Sequence, residues 1–243
     1  MTNRVNNGRG QVGTVTAHAH ASVVCNNVAR TFGTGPAAVV AVYGVSCSVA
    51  PGSRIAVTGP SGSGKSTLLH LMAALETPTS GTIEWPALAP NPHGRFGQIG
   101  IVFQGPSLLP ALDVTENVAL PLLLDDMDDS QAARRAADAL DRLGIADLAA
   151  KLPEQLSGGQ MQRVAVARVL AARPRLILAD EPTGQLDHHA AHLVMDVLLH
   201  ASDELDASLV VSTHDPVIAA RLDTQWRMRD GRMDPDHSGA VSA

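Results

Sequence analysis

Short apolar runs rich in Val, Ile and Leu alternate along this chain with segments whose apolar positions recur at helical spacing. The apolar runs predict strands over residues 22–32, 41–49, 54–58, 82–85, 99–104, 175–180 and 208–213. The helical spacing predicts helices over residues 68–75, 131–143, 160–172 and 187–200, a last helix from Pro216 and a closing hairpin over residues 227–233. Strands that alternate with helices indicate an α/β fold with a mostly parallel sheet covered on both faces.

The predicted elements form one domain over residues 21–235. The Asn-, Gly-, Thr- and Ala-rich residues 1–20 predict a disordered lead-in, and residues 236–243 predict a flexible tail. Between residues 113 and 150 an acidic run and a helix-forming stretch interrupt the α/β pattern. We interpret this interruption as the centre of an inserted helical subdomain, which extends over about residues 105–172.

The composition is typical of a soluble domain with an aliphatic core. Of the 243 residues, 45% are hydrophobic and 2% aromatic, and the net charge of −6 argues against attraction of the whole molecule to nucleic acid. Apolar runs are far shorter than the roughly 20 residues of a membrane-spanning helix, and the first residues lack the plan of a signal peptide. We therefore expect a soluble protein that reaches a membrane only through a partner, with Cys25 and Cys47 as buried, reduced thiols.

One glycine-rich loop joins a predicted strand to a predicted helix. It consists of Gly59, Pro60, Ser61, Gly62, Ser63, Gly64, Lys65, Ser66 and Thr67. In this motif backbone N–H groups wrap a β-phosphate, the lysine bridges β- and γ-phosphates, and the Ser66 hydroxyl binds Mg²⁺. The alternative is a Gly/Ser-rich turn with an exposed lysine, which the flanking strand and helix disfavour. The absence of any acidic residue before Glu76 suits a polyphosphate site, although an unbiased Ala-, Val- and Gly-rich segment would look the same.

Two carboxylates follow the apolar strand predicted over residues 175–180. A buried strand would place Asp180 rigidly beside the Mg²⁺ bound by Ser66. Glu181 could then polarise a water for in-line attack on the γ-phosphate, and such general-base assistance is typically worth about 10²–10⁴ in rate. Taken alone, the pair could merely cap the turn at Pro182. The phosphate loop upstream favours the catalytic interpretation.

Two more polar side chains are predicted at the same sheet edge. His214 follows the strand over residues 208–213, and Gln104 ends the strand over residues 99–104. Ligands of open α/β sheets lie at the carboxyl ends of strands. His214 could therefore donate to the γ-phosphate and orient the water, and Gln104 could bind Mg²⁺ or water through its amide oxygen. A lone histidine is more often structural, and the strand-end position reverses that preference.

A second phosphate-reading element follows the inserted helices. Its residues are Leu156, Ser157, Gly158, Gly159 and Gln160. The short serine side chain and the two glycines let N–H groups approach an anion at a helix start, where the dipole also favours negative charge. Since residues 59–67 already form one complete cradle, the simplest explanation is a site shared between two copies of the protein.

The start of the helix predicted over residues 187–200 carries further polar groups. Asp187 could be an N-cap, a role compatible with a functional contact. His188 and His192 share a helix face and, with His189, suggest a metal site. No nearby cysteine or acidic residue completes a ligand set, which favours an exposed helix face.

Taken in order, these motifs resemble those of ATP-binding cassette (ABC) nucleotide-binding domains. The matching residues are 59–67, Gln104, 156–160, 176–182, Leu186, Asp187 and 212–215. The resemblance extends from about residue 22 to residue 233. It implies a P-loop NTPase of the ABC type, with a mostly parallel core sheet, an N-terminal antiparallel β subdomain and an inserted α-helical subdomain.

The resemblance also implies a shared active site with ATP and Mg²⁺. Two ATP molecules would lie head-to-tail between two cassettes, which form a homodimer or a heterodimer with a second cassette. Ser157 and Gly159 would contact the γ-phosphate held by Lys65, Ser66 and Thr67 of the opposite subunit.

Three further roles follow from the same resemblance. Phe32 matches the aromatic residue that stacks on adenine, and Asp187 would contact the phosphate loop of the other subunit. Gln104 would report the nucleotide state to a transmembrane permease, which would dock on the helical subdomain at residues 113–150.

Finer features are similar to the lipoprotein-release and macrolide-export group, whose permeases transmit force to periplasmic or extracellular domains. These features lie at residues 108–110, 115–121 and 179–184. Two features of this chain depart from the usual pattern of that group. Gln185 stands where the group usually has asparagine, and the segment between Trp85 and Gln98 is shorter and richer in proline.

These features bear on four possible functions. The leading one is an ATPase subunit that dimerises on ATP and drives a separate permease, of an exporter or force-transmitting type, from the cytoplasmic face of the membrane. The second is the same engine regulating a cell-wall hydrolase without transport. A soluble ABC ATPase acting on DNA or ribosomes would need coiled-coil arms or tandem cassettes. A P-loop kinase or GTPase is contradicted by residues 156–160.

Overall fold

The computed structural model describes residues 20–88 and 97–234. The predicted lead-in as far as residue 19, residues 89–96 of the proline-rich segment and the predicted tail lie outside these ranges. The strands are β1 (Val23–Phe32), β2 (Val39–Val49), β3 (Arg54–Thr58), β4 (Ser80–Glu84), β5 (Ile99–Val102), β6 (Leu176–Asp180), β7 (Ser208–Thr213), β8 (Thr224–Arg229) and β9 (Arg232–Met233). The α-helices are α1 (Lys65–Met72), α2 (Val114–Leu124), α3 (Asp129–Arg142), α4 (Gly158–Ala171), α5 (His188–Glu204) and α6 (Pro216–Ala219).

These strands form two sheets in the described part of the chain. The larger sheet has the order β5-β6-β7-β3-β8-β9, in which β9 alone runs antiparallel to its neighbour. The smaller, antiparallel sheet has the order β2-β1-β4. The mostly parallel core sheet, the N-terminal antiparallel subdomain and the closing hairpin are thereby confirmed. Cys25 and Cys47 are free thiols directly opposite each other on β1 and β2.

Both faces of the large sheet are buried. On β3, Ile55 and Val57 pack into the cluster that includes α1 and the small sheet, whereas Ala56 packs into the cluster that includes α2 to α5. On β6, Leu176 and Leu178 pack into the cluster that includes α1, and the residues that follow each of them pack into the cluster that includes α2 to α5. Successive residues of a strand point to opposite faces, so a strand buried on both sides needs an unbroken apolar run. That requirement explains the apolar sequences that predicted these strands.

The predicted helical insertion is confirmed. Helices α2, α3 and α4 pack on one another and are inserted in the chain between β5 and β6, which are neighbouring parallel strands. Helix α2 was not among the predicted helices, because Pro121 resembled a break in its apolar run. A capping box fixes its start: the Asp113 side chain accepts from Glu116 N, and Glu116 Oε2 accepts from Asp113 N at 2.8 Å. The helix then continues past Pro121.

Some predicted boundaries are wrong for local reasons. Helix α1 begins at Lys65 rather than at residue 68, because Leu68 N donates to Gly64 O at 2.9 Å and extends the helix back to the glycine-rich loop. Strand β5 ends at Val102 rather than at Gln104, because the Phe103 carbonyl accepts a hydrogen bond from Gln162 Nε2 at 3.2 Å instead of from a neighbouring strand. Gln104 consequently lies in the segment beyond the strand.

Asn117 holds helix α2 to the loop that precedes it. Its side chain is 1% exposed, its Oδ1 accepts from Leu109 N at 2.8 Å, and its Nδ2 donates to carbonyls of Leu109, Leu112 and Asp113 at 2.9–3.1 Å. Asn117→Ala leaves these buried backbone groups without a partner. We expect the free energy of unfolding, measured by urea denaturation, to fall by about 3 kcal/mol.

Thr115→Val is the matched control, because Thr115 makes one hydrogen bond from the same helix, to Ala149 O at 3.1 Å. It should lose about 1 kcal/mol or less. Equal losses in the two variants would show that the Asn117 network does not hold the loop.

Candidate active site

The glycine-rich loop lies between β3 and α1 and packs tightly against its surroundings. Gly64 has φ +97°, and a Cβ there would lie 2.2 Å from Ala41 O on β2. A Cβ at Gly59 would lie 2.2 Å from Met228 O on β8. Only glycine permits these approaches. The first turn of an α-helix leaves its N–H groups without intrahelical acceptors, so the loop presents donors at the start of α1.

A cavity of about 580 Å³ opens over this loop. It is lined by Val39, Val40, Ala41, Ser61, Gly62, Ser63, Gly64, Lys65, Ser66, Thr67, Gln104, Glu181 and His214. The structure therefore brings most of the phosphate loop together with three of the polar residues predicted at the sheet edge. Val39 and Val40 were missed by sequence reasoning, because the predicted second strand began two residues after them.

Lys65 is a buried cation in the lining of the cavity. Its Nζ donates to Gly59 O at 2.9 Å and to Pro60 O at 3.1 Å, and it lies 4.0 Å from Glu181 Oε1. A buried ammonium group needs such partners. The loop carbonyls thus hold the lysine in position beside the catalytic candidate.

Asp180 and Glu181 are fixed by one serine on the neighbouring strand. Asp180 is 3% exposed and lies opposite Ser212 in the ladder, and Ser212 Oγ donates to Asp180 Oδ1 at 2.5 Å. Glu181 N donates to Ser212 Oγ and to Ser212 O, each at 3.1 Å. Sequence reasoning assigned no role to Ser212, since its importance follows from the register between β6 and β7.

Glu181 has a constrained backbone and a defined side-chain partner. Its φ is +47°, a left-handed conformation that costs a non-glycine residue on the order of 1 kcal/mol or more. His214 Nδ1 lies 2.8 Å from Glu181 Oε2. Glu181 is thus held at the cavity by its backbone contacts to Ser212 and by the imidazole.

Gln104 lines the cavity from a segment that helix α4 holds at two points. Besides the contact of Gln162 with Phe103 O, Arg168 donates to Ser107 O at 2.9 Å and to Ser107 Oγ at 3.1 Å. Burial lowers the pKa of the Arg168 guanidinium. Sequence reasoning missed both tethers, because they join residues about 60 positions apart.

The second phosphate-reading element is the start of α4. Ser157 is the N-cap: its Oγ accepts from Gln160 N at 3.2 Å, and Gln160 Oε1 accepts from Ser157 N at 2.8 Å. Ser157 is exposed, and Gly158, Gly159 and Gln160 are partly exposed. In the described ranges none of these residues lines the cavity over the glycine-rich loop.

The remaining predicted residues also lie outside the cavity lining. Asp187 is exposed and caps α5, where its Oδ1 accepts from Ala190 N at 2.9 Å, which confirms the N-cap interpretation. Phe32 ends β1 opposite Val39, one of the lining residues. The three histidines at the start of α5 are exposed. Among the residues that the structure describes, no cluster of three or more His, Cys, Asp or Glu side chains suits a metal ion.

The same order of motifs is found in a known family. The family model described as ABC transporter matches residues 42–184, which is more than half of the 243 residues. The chain belongs to the ABC transporter family. It is thus an ATP-binding subunit of an ABC transporter and an ATPase, which confirms the resemblance. No helix in residues 20–88 and 97–234 is both long and apolar enough to cross a membrane.

Among curated proteins, this cassette is similar to ATP-binding proteins of lipoprotein-releasing systems. It is 41% identical over 217 residues to the lipoprotein-releasing system ATP-binding protein LolD of Bordetella pertussis, a match that covers 86% of this chain and 94% of the relative. It is 39% identical over 216 residues to LolD of Pseudomonas syringae pv. tomato, with 86% and 95% covered.

Solved structures agree with the fold. The ATP-binding cassette MJ0796, in a dimeric post-hydrolysis state bound to ADP and Pi, superposes with a TM-score of 0.82 at 34% identity and covers 87% of this chain and 96% of that one. The cbiO1 protein of Clostridium perfringens, part of the ABC transporter complex cbiONQ, gives a TM-score of 0.75 at 29% identity, with 88% and 87% covered.

Ser212→Ala tests whether the β7 serine positions the carboxylates of this ATPase. The variant removes a hydrogen bond to a buried carboxylate and one acceptor of Glu181 N. We expect kcat for ATP hydrolysis to fall about tenfold or more, since a hydrogen bond to a charged group is worth about 1.5–3 kcal/mol.

Ser208→Ala is the control, because Ser208 is equally buried on the same strand but bonds to Ser22 Oγ and Ala50 O instead. Steady-state kinetics and urea denaturation of both variants separate catalysis from stability. Equal turnover in the two variants would rule out a positioning role for Ser212.

Proposed function

We propose that two copies of this cassette close around two ATP molecules and drive a separate membrane permease from its cytoplasmic face. One observation carries the proposal: the two phosphate-reading elements do not share a cavity. Most of the glycine-rich loop lines the cavity, whereas residues 157–160 form a capped helix start elsewhere. A helix start with exposed serine can complete the site of another copy. The dimeric state of MJ0796 bound to ADP and Pi supports this arrangement.

In this proposal the phosphates of ATP replace the present partners of Lys65. The ammonium group would exchange Gly59 O and Pro60 O for β- and γ-phosphate oxygens, while N–H groups of the loop and of the first turn of α1 surround the β-phosphate. Ser157 and Gly159 of the other copy would donate to the same γ-phosphate. Asp187 would contact the phosphate loop of the other copy, and Phe32 would stack on the adenine.

The donor set fits Mg²⁺. Ser66 and Gln104 offer a hydroxyl and an amide oxygen in the cavity, and Asp180 offers a carboxylate at the end of β6. Oxygen donors of this kind, few in number and supplemented by phosphates and water, are what Mg²⁺ accepts. When bound, the ion would supply positive charge that neutralises the charge developing on the phosphates. The hydrogen bond from Ser212 keeps the Asp180 carboxylate oriented for this role.

Glu181 acts as the general base in the proposed reaction. Its carboxylate would accept a proton from the water that attacks the γ-phosphate, and the contact with His214 holds Oε2 at the cavity. His214, which also lines the cavity, would donate to the γ-phosphate once the nucleotide is bound. Gln104 would report the presence of the γ-phosphate to the helical insertion through the segment that α4 holds.

The helical insertion presents the surface for the permease. Leu109, Leu123, Leu124 and Leu152 are exposed, and all four lie between β5 and β6 in the chain. Apolar side chains left exposed on one subdomain are candidates for a partner contact. The similarity to LolD proteins supports a permease of the lipoprotein-releasing type.

Glu181→Gln tests the shared site. The variant should bind ATP but hydrolyse it at least about 100-fold more slowly, because it lacks the general base. We therefore expect it to accumulate as an ATP-bound dimer in size-exclusion chromatography with light scattering. Formation from this chain alone would establish a homodimer.

The combined variant Ser157→Arg and Glu181→Gln is the control. It should bind ATP with unchanged affinity and remain monomeric, because the arginine obstructs the helix start that reads the γ-phosphate. A Glu181→Gln protein that stays monomeric at saturating ATP and Mg²⁺ would contradict the model. Equal loss of ATP binding in the combined variant would assign Ser157 a structural role only.

Leu123→Asp combined with Leu124→Asp tests the permease surface. The double variant should lose at least about tenfold in co-purification with the permease from solubilised membranes, since charges replace apolar contacts. ATP-dependent dimerisation should persist. Leu75→Asp, which changes an exposed leucine outside the insertion, is the control. Equal retention of the double variant and the control would place the permease contact elsewhere.

A further inference from the structure

Arg30 and Phe32 form a cation–π pair beside the nucleotide cavity. The two residues are two positions apart on β1, and the guanidinium carbon of Arg30 lies 4.6 Å from the ring centroid of Phe32. Phe32 is 38% exposed and lies opposite Val39, which together with Val40 lines the cavity. The cation thus covers one side of an aromatic ring that is paired with a residue of the cavity lining and keeps part of its own surface exposed.

Arg30 is fixed by a second contact. Arg30 Nη2 lies 2.6 Å from Glu76 Oε2, and both side chains are about three-quarters buried. Glu76 follows helix α1, where its N–H donates to His70 O at 3.2 Å. Helix α1 begins with Lys65 at the phosphate loop. The chain of contacts from Phe32 through Arg30 to Glu76 therefore joins the ring to the helix that carries the phosphate donors.

A backbone contact supports the same junction. Thr31 N donates to Thr79 Oγ1 at 3.0 Å, and Thr79 N donates to Ala29 O at 2.8 Å. These bonds hold the end of β1 against the segment that follows α1. The guanidinium is consequently confined between the Glu76 carboxylate and the Phe32 ring. A phenylalanine has no hydroxyl of its own through which it could be held, so the arginine supplies the constraint on the ring.

We propose that Arg30 is a positioning residue for the base of the nucleotide. Held by Glu76, it fixes the Phe32 ring as a preformed stacking platform and couples that platform to the phosphate-binding helix. The inference rests on the proposed function, in which Phe32 stacks on adenine. Immobilising a side chain on binding has an entropic cost, and a cation–π contact that holds the ring beforehand offsets part of it. Loss of the arginine should therefore weaken binding of the base severalfold.

Arg30→Ala tests this role. We expect the Kd for ATP by isothermal titration calorimetry and the KM for hydrolysis to rise about three- to tenfold, with kcat at saturating ATP unchanged. The Kd for inorganic tripolyphosphate, which has no base, should not change. Arg30→Lys retains the cation and should recover part of the ATP affinity. Glu76→Gln should weaken ATP binding in the same direction, because it releases the guanidinium.

Arg232→Ala is the matched control. It removes a second cation–π pair, in which Arg232 lies 3.8 Å from the ring centroid of Tyr43, a residue outside the cavity lining. It should leave the Kd for ATP unchanged. An ATP affinity of Arg30→Ala within twofold of the parent would overturn the inference. Equal weakening of ATP and tripolyphosphate binding would also overturn it, since the arginine would then act on the phosphates or on the fold.

Phe32→Leu separates this inference from the proposed function. If Phe32→Leu weakens ATP binding and Arg30→Ala does not, the ring is the base platform and the positioning role of Arg30 is wrong. If neither variant changes ATP affinity, the assignment of Phe32 to adenine fails together with the inference. The dimerisation of Glu181→Gln on ATP remains an independent test of the shared site.

Discussion

The parallel pairing of β6 with β7 is the constraint on which the candidate active site depends. It places Asp180 opposite Ser212, so that one hydroxyl binds the buried carboxylate and the backbone of the next residue. A one-residue slip in this register would turn Ser212 to the other face of the sheet and remove both contacts. The apolar residues of the two strands prevent that slip, because they are buried on both faces. Core packing therefore fixes the geometry of the catalytic candidates.

The constrained conformation of Glu181 follows from the same pairing. After Asp180 the chain leaves the sheet, but Glu181 N still donates to Ser212. A left-handed φ of +47° satisfies this bond while the side chain remains beside His214. The conformational cost is met by the buried ladder that precedes it. The proposed general base thus has a backbone conformation that the strand imposes and that an isolated residue would not adopt.

Much of the fold could be predicted from the sequence, because its strongest signals are local. The unbroken apolar runs of β6 and β7 and the spacing of the glycine-rich loop each lie within a few consecutive residues, and they predicted the sheet edge where Glu181 and His214 meet. Helix α2 was hidden by Pro121, since a capping box and tertiary contacts outweigh the penalty of a single proline. The roles of Ser212, Gln162 and Arg168 depend on register and on contacts across the insertion, which no local pattern encodes.

In the proposed pair, the tethers of helix α4 would connect the two nucleotide sites through one cassette. The helix begins at Ser157, and farther along it Gln162 and Arg168 hold the chain on both sides of Gln104. A helix is stiff over this length, so a displacement of its start is transmitted to the segment at the cavity. In a closed pair, the start of α4 would meet the phosphates held by the other copy while the Gln104 segment meets those held by its own. Nucleotide binding at one site would then change the geometry of the second site through helix α4. The exposed leucines of the insertion would move together with this helix.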